Sequence, residues 1–240
     1  MNTQSAPTPA PADGEALEHR LAERALAAFR RATVEALTGA DGDRNAPVQE
    51  WHRRGSFVPH RENMAFQSIT YRLAGSLPKE VVEQMKALLP SIRSGSETHA
   101  AAVLREKIER FEDAGYGACH LRNPRVAVAV EDNLLHFDGD RYQLHAYCIM
   151  PNHVHVLLEI GRGWTLSRIL HGWRSYTAKE ANRMLGRNGR FWMEEYFDRW
   201  IRNERHLAAE VAYILGNPVK AGLVATPGEW RWCGPRGGVG

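Results

Sequence analysis

The sequence predicts an α+β sandwich built on an antiparallel sheet, and three observations carry that prediction. The runs MAFQSITYRLAG (64–75), YQLHAYCIM (from Tyr142) and HVHVLLEI (153–160) are β-branched and aromatic and read as strands. Between and after them lie segments with apolar residues at helical spacing. The runs 142–149 and 153–160 are separated only by a short break at Pro151-Asn152, so they pair as a hairpin or as one sharply bent strand.

Taken in order, MNTQSAPTPAPAD has nothing to pack and reads as a disordered tail. From Gly14 to about Leu37, Leu17, Leu21, Ala25, Phe29 and Val34 fall near one helical face. TGADGDRNAP has linker composition. Residues 1–50 are therefore expected to be a tail, an added helix and a linker, with no chemistry of their own, before a main domain over 60–235. There, Gly75-Ser76-Leu77-Pro78 ends the first strand, and Pro78 suits the first turn of the helix PKEVVEQMKALL. Thr98 to about Asp113 is a helix with Val103, Leu104, Ile108 and Phe111 as its apolar stripe. Arg125–Asp132 is apolar and fits either a strand or a helix. Thr165–Leu185 is an amphipathic helix with Leu166, Ile169, Leu170, Trp173, Thr177 and Met184 inward. The Gly/Arg turn GRNGR precedes FWMEEYFDRWIRN, to which no element is assigned. A last helix runs from about Glu204 to Leu215, and Asn217-Pro218 is expected to stop it.

Composition narrows the function classes. The chain has 240 residues, 31 Lys+Arg against 28 Asp+Glu, and 43% hydrophobic residues, enough for a full core. No window reaches the roughly 18 apolar residues of a membrane span, and Met1–Gly14 lacks the pattern of a signal peptide. A cytoplasmic location is expected. Cys119, Cys148 and Cys233 are far apart with no CxxC pair, which excludes a disulfide scaffold or a cysteine-built zinc site.

Three features carry chemistry. In MPNHVHVLLE, His153 and His155 are two apart, so on a strand they share one face while Val154 and Val156 face a core. Two such imidazoles are half of a divalent-metal site, or two polar residues on a sheet edge. In YILGNPVKAG, Tyr213 and Asn217 are four apart and stack on one helix face, with His206 and Glu210 near them. That pattern also fits an ordinary amphipathic helix with a rim tyrosine. Finally, 162–206 holds ten basic residues against five acidic ones, a local net of +5 against +3 for the chain. Aromatics interleave, a composition suited to phosphates and unpaired bases or to a solvated helix face over a core.

Together, MPNHVH, FWMEEYFDRWIRNE and YILGNPVKAGLV over residues 60–232 resemble the REP-associated tyrosine transposases, single-tyrosine HUH transposases of the IS200/IS605 type. The resemblance implies a ferredoxin-like antiparallel sheet flanked by helices, the HUH endonuclease type, here with an extra N-terminal helix. It implies that His153 and His155 hold Mg²⁺ or Mn²⁺, with Asn217 as third ligand and Tyr213 as nucleophile. The implied reaction is cleavage and transfer of single-stranded, hairpin-containing repeat DNA through a 5′-phosphotyrosine link and a free 3′-OH. Lys220, Arg174, Arg190 and Arg202 would hold backbone phosphates, and Glu210 is a candidate helper. A nucleoid-associated protein acting as a monomer or homodimer is implied, without a membrane partner.

The alternatives are a hairpin-DNA-binding protein that does not cut, and two other enzyme classes. A histidine-triad nucleotide hydrolase needs its nucleophile at the next alternating position, where Leu157 stands. A zinc hydrolase needs a third ligand, for which Glu159 and His145 are the candidates.

Overall fold

A computed structural model describes residues 12–38, 66–93 and 99–235. Residues 1–11 of the expected tail over 1–13 and most of the expected linker lie outside these residues, whereas Ala12 and Asp13, expected in the tail, begin the first helix. The elements in chain order are α1 (Ala12–Thr38), β1 (Phe66–Leu73), α2 (Lys79–Arg93), α3 (His99–Asp113) and α4 (Pro124–His136). They continue with β2 (Tyr142–Ile149), β3 (His153–Ile160), α5 (Leu166–Leu185), β4 (Trp192–Trp200), α6 (Glu204–Lys220) and the short β5 (Cys233–Gly234).

The strands form one antiparallel sheet in the order β4-β1-β3-β2-β5. The first four make the ferredoxin-like arrangement, and β5 extends the β2 edge. β1 is central, and its register with β3 sets Thr70 opposite His155 and Arg72 opposite His153. Residues directly opposite share a face, so Ser68, Thr70 and Arg72 join the histidines on one side.

The other side buries Ile69, Tyr71, Val154, Val156 and Leu158 against Val126 and Val130 of α4 and Leu170 and Trp173 of α5. On the histidine side, Phe66, Cys148 and Leu157 pack with Leu17, Leu21 and Phe29 of α1 and Leu207, Val211 and Ile214 of α6. The Phe29 and Phe66 rings meet edge-on at 5.3 Å. Fully burying each such side chain contributes about 1.5–3 kcal/mol, so α1 helps to hold the tyrosine helix on the sheet. A smaller cluster joins Val81 and Met85 of α2 to Leu104 and Ile108 of α3 and Met193 of β4.

Two open segments are resolved and two local expectations change. Arg125–Asp132 is helical, within α4, because Asn123 caps the Arg125 N–H at 3.0 Å and Pro124 occupies the first turn. FWMEEYFDRWIRN contains β4, an edge strand whose residues alternate between α5 (Trp192, Tyr196) and the α2–α3 cluster (Met193, Phe197). Val103 is 50% exposed, and Glu112 takes a buried place on α3 instead. Asn217-Pro218 does not end α6: bonding resumes beyond the proline, with Ala221 N–H donating to Asn217 O and Leu223 N–H to Pro218 O, both at 2.9 Å. Only the bond that the missing proline N–H would make is lost.

Candidate functional site

Period-two geometry brings His153 and His155 side by side, 1% and 2% exposed, with their Nε2 atoms 2.9 Å apart. His153 Nδ1 lies 2.7 Å from Asn152 Oδ1. An amide oxygen only accepts, so in the neutral ring the proton sits on Nδ1 and the Nε2 lone pair faces His155. The Asn152 amide is itself oriented by donating to Tyr116 O. His155 Nδ1 is held 2.9 Å from Thr70 Oγ1. Burial pushes both histidines well below the usual imidazole range. Arg72 and Lys220 reinforce the shift at His153, and His153 itself does so at His155. Both rings are therefore neutral, the form that binds metal.

The α6 residues sit across from them. The Tyr213 ring meets His155 edge-on, centroids 5.5 Å apart. Burial, then the carboxylates of Glu109, Glu112 and Glu210, raise the Tyr213 phenol, so at neutral pH it is fully protonated. Asn217 is 2% exposed, and its Nδ2 donates to Tyr213 O at 2.6 Å. Glu210 accepts from Ser68 Oγ at 2.5 Å and lies 3.9 Å from His206. Lys220 Nζ is 5.8 Å from the Tyr213 ring centroid but bonds Glu109 at 2.7 Å and Asp113 at 3.3 Å. Across the cleft, Arg72 forms a buried ion pair with Glu112, both 3% exposed.

One cavity of about 140 Å³ opens onto His155 and Tyr213, while His153, Asn217 and Lys220 are not among the residues that line it. Ser68, Thr70, Arg72, His155, Glu109, Glu112, Glu210 and Tyr213 line it, with Asp198 and Arg199 of β4. The β1 and α3 contributions were not among the expected site residues. A signal for β1 existed: polar Ser68, Thr70 and Arg72 alternate with apolar Ile69, Tyr71 and Leu73. Nothing local marks the α3 acids.

The other basic residues are dispersed. Arg174 reaches back to the β4 carbonyls of Met193 and Glu194, which makes it a packing residue on the far face. Arg190 is exposed near Glu194, and Arg202 is exposed just before α6. The +5 segment is thus split between two faces of the sheet, with α5 turned away from Tyr213.

The spacing of the two imidazole nitrogens fits adjacent positions on a borderline divalent ion. Two ligands at adjacent positions of an octahedral ion with bonds of about 2.1 Å stand about 3.0 Å apart, and the Nε2 atoms are 2.9 Å apart. Among the described residues no cluster of three or more His, Cys, Asp or Glu could hold a metal. His145 and Glu159 pair with each other at 3.7 Å, and Leu157 separates Glu159 from His155 along β3.

Residues 136–217 match the family described as "Transposase IS200 like". This segment, about a third of the chain, is similar to the IS200-like transposases. It contains both histidines, the tyrosine and the asparagine discussed above. The chain also resembles a Haemophilus influenzae protein named as a REP-associated tyrosine transposase, at 27% identity over 101 residues. That alignment covers 38% of this chain and 57% of the relative, so the chain spans little more than half the relative's length. A solved structure of a REP-associated tyrosine transposase bound to a REP hairpin is similar at a TM-score of 0.43 and 16% identity. It covers 77% of this chain and 81% of its own. Among the described residues, no helix is long and apolar enough to cross a membrane.

Proposed function

We propose that this protein cuts and rejoins single-stranded, hairpin-containing DNA, with Tyr213 as nucleophile and a divalent metal ion at His153, His155 and Asn217. The observation that carries the reading is the convergence of a buried neutral histidine pair and a helix tyrosine on one cleft, within the IS200-like segment. The name of the Haemophilus influenzae relative supports the repeat-DNA substrate.

In this reading Tyr213 Oη attacks a backbone phosphorus, the Oη–P bond forms and the P–O3′ bond breaks. The phenol gives up a proton and the departing 3′ oxygen gains one, leaving a 5′-phosphotyrosine and a 3′-OH. The ester link conserves the bond for rejoining. A bound divalent ion supplies charge neutralisation at the phosphate, which a phenol held so far toward its neutral form needs. His153 and His155 present lone pairs, Asn152 and Thr70 hold their rings, and Asn217 offers its amide oxygen while its Nδ2 stays on the helix.

The second reading, a hairpin-binding protein that does not cut, is favoured by one observation. The cleft is about 140 Å³, smaller than the roughly 300–1,000 Å³ of ordinary small-ligand sites. A denaturing gel with labelled repeat hairpins from the source genome separates the two. Wild type should give a slow-migrating covalent adduct, and Tyr213→Phe should bind the hairpin but give none. Equal adduct formation by the Phe variant would remove Tyr213 as nucleophile, and no adduct from wild type would favour the binding protein.

A further inference from the structure

The cleft is small because α3 closes it, and α3 closes it with charge. Three of its four acids reach across to cations on two other elements: Glu109 and Asp113 to Lys220 of α6, and Glu112 to Arg72 of β1. Beyond these ion pairs, the α2–α3 unit rests on β4 through the small apolar cluster around Met193, separate from the two larger clusters. Lys220 and Arg72, which stand beside Tyr213 and the histidines, are therefore already neutralised by carboxylates of the protein itself, while Arg105 and Arg199 also line the cleft. A DNA phosphate entering the closed cleft would meet Glu109, Glu112, Glu210 and Asp198 and find Lys220 and Arg72 engaged.

Carboxylate and phosphate compete for the same donors. Both accept charge-assisted hydrogen bonds from a guanidinium in a two-pronged geometry, and one ammonium cannot neutralise both. Closed α3 and bound DNA are then mutually exclusive, whereas an exchange of one anion for the other leaves each cation paired. Burial raises the Asp113 carboxyl, with Lys220 opposing the shift and Glu112 and Glu109 adding to it, as expected of acids crowded together.

We propose that α3 is a carboxylate lid: Glu109, Glu112 and Asp113 occupy the phosphate positions at Lys220 and Arg72, and single-stranded DNA enters by displacing them. The inference rests on the single-stranded DNA reading above and adds Arg72 and the α3 acids as the groups that control access to Tyr213. It makes the nuclease self-restrained, opened by its own substrate class.

The test uses the full chain, a short fluorescent single-stranded oligodeoxynucleotide of mixed sequence, and the double variant Glu109→Gln, Asp113→Asn. Both side chains are partly exposed and keep their size, so folding is retained, and amide exchange of β3 and α6 verifies it. Amide exchange over 99–113 should be faster in the free double variant than in the free wild type, with β3 unchanged. Wild type should show the same loosening when oligonucleotide is added. The variant should bind the oligonucleotide about tenfold more tightly. Unchanged exchange of α3 in the variant overturns the lid, as does oligonucleotide affinity equal to or weaker than wild type. If neither protein binds single-stranded DNA, the DNA reading itself falls, and the lid with it. That outcome differs from binding by wild type that the variant fails to improve.

Discussion

His153 shows how one neighbour decides a ring's chemistry. Asn152 Oδ1 captures Nδ1–H and so points a lone pair at His155, and Asn152 is fully buried, leaving no water to take its place. Partners of this kind are worth about 10–100-fold in metal affinity. Asn152→Ala should therefore weaken Mn²⁺ binding by that factor in a calorimetric titration while the far-UV spectrum is kept; unchanged affinity would show that Asn152 does not orient the ring. The same burial links the site to pH. With folded values depressed below the ordinary histidine value near 6.5, neither ring changes charge above that pH, so neither contributes a pH dependence there. Below it the unfolded chain takes up protons that the folded site refuses, so stability falls as pH falls. Chelator-treated protein should lose about 1.4 kcal/mol per histidine per pH unit below pH about 6. Urea midpoints between pH 7 and 5 check this, and a double His153→Gln, His155→Gln variant should show a flatter profile.

At the scale of elements, α6 does two jobs. Its apolar side (Leu207, Val211, Ile214) is core, and its other side presents Glu210 and Tyr213 to the cleft, with Asn217 buried one turn on. Its position depends on α1, whose Phe29 is buried against Phe66 at the start of β1. Phe29→Ala should cost about 3–5 kcal/mol in chemical denaturation; a cost below about 1 kcal/mol would mean that α1 is not part of the cooperative core. This coupling was not legible in the sequence, where an amphipathic helix shows that it needs a partner but not which one. The α6 endpoint was misread because Asn-Pro is a statistical stop, and here the chain loses only one bond at Pro218. The α4 signal, Asn123 followed by Pro124, was present and is a stronger reading than the apolar run after it.

At the scale of the molecule, the sheet divides the basic residues. Arg199 opens on the cleft, while Lys179 and Arg183 lie on the outer side of α5, across the sheet. Arg199→Ala should reduce the salt dependence of single-strand binding by about one counterion and weaken it in proportion. Lys179→Ala and Arg183→Ala should leave the binding of a short single strand within twofold of wild type, about 0.4 kcal/mol. Equal losses at all three positions would place the strand across both faces. Strand alternation and helix spacing depend only on bonded geometry, so HxH on a strand, Tyr213 four residues before Asn217, and the α+β class could all be read along the chain. Which elements become neighbours is set by packing between segments distant in sequence. Only the tertiary structure could place Arg72 opposite His153, bring the α3 acids onto Lys220, and send Arg174 to the far face, because burial and charge pairing are properties of the assembled fold.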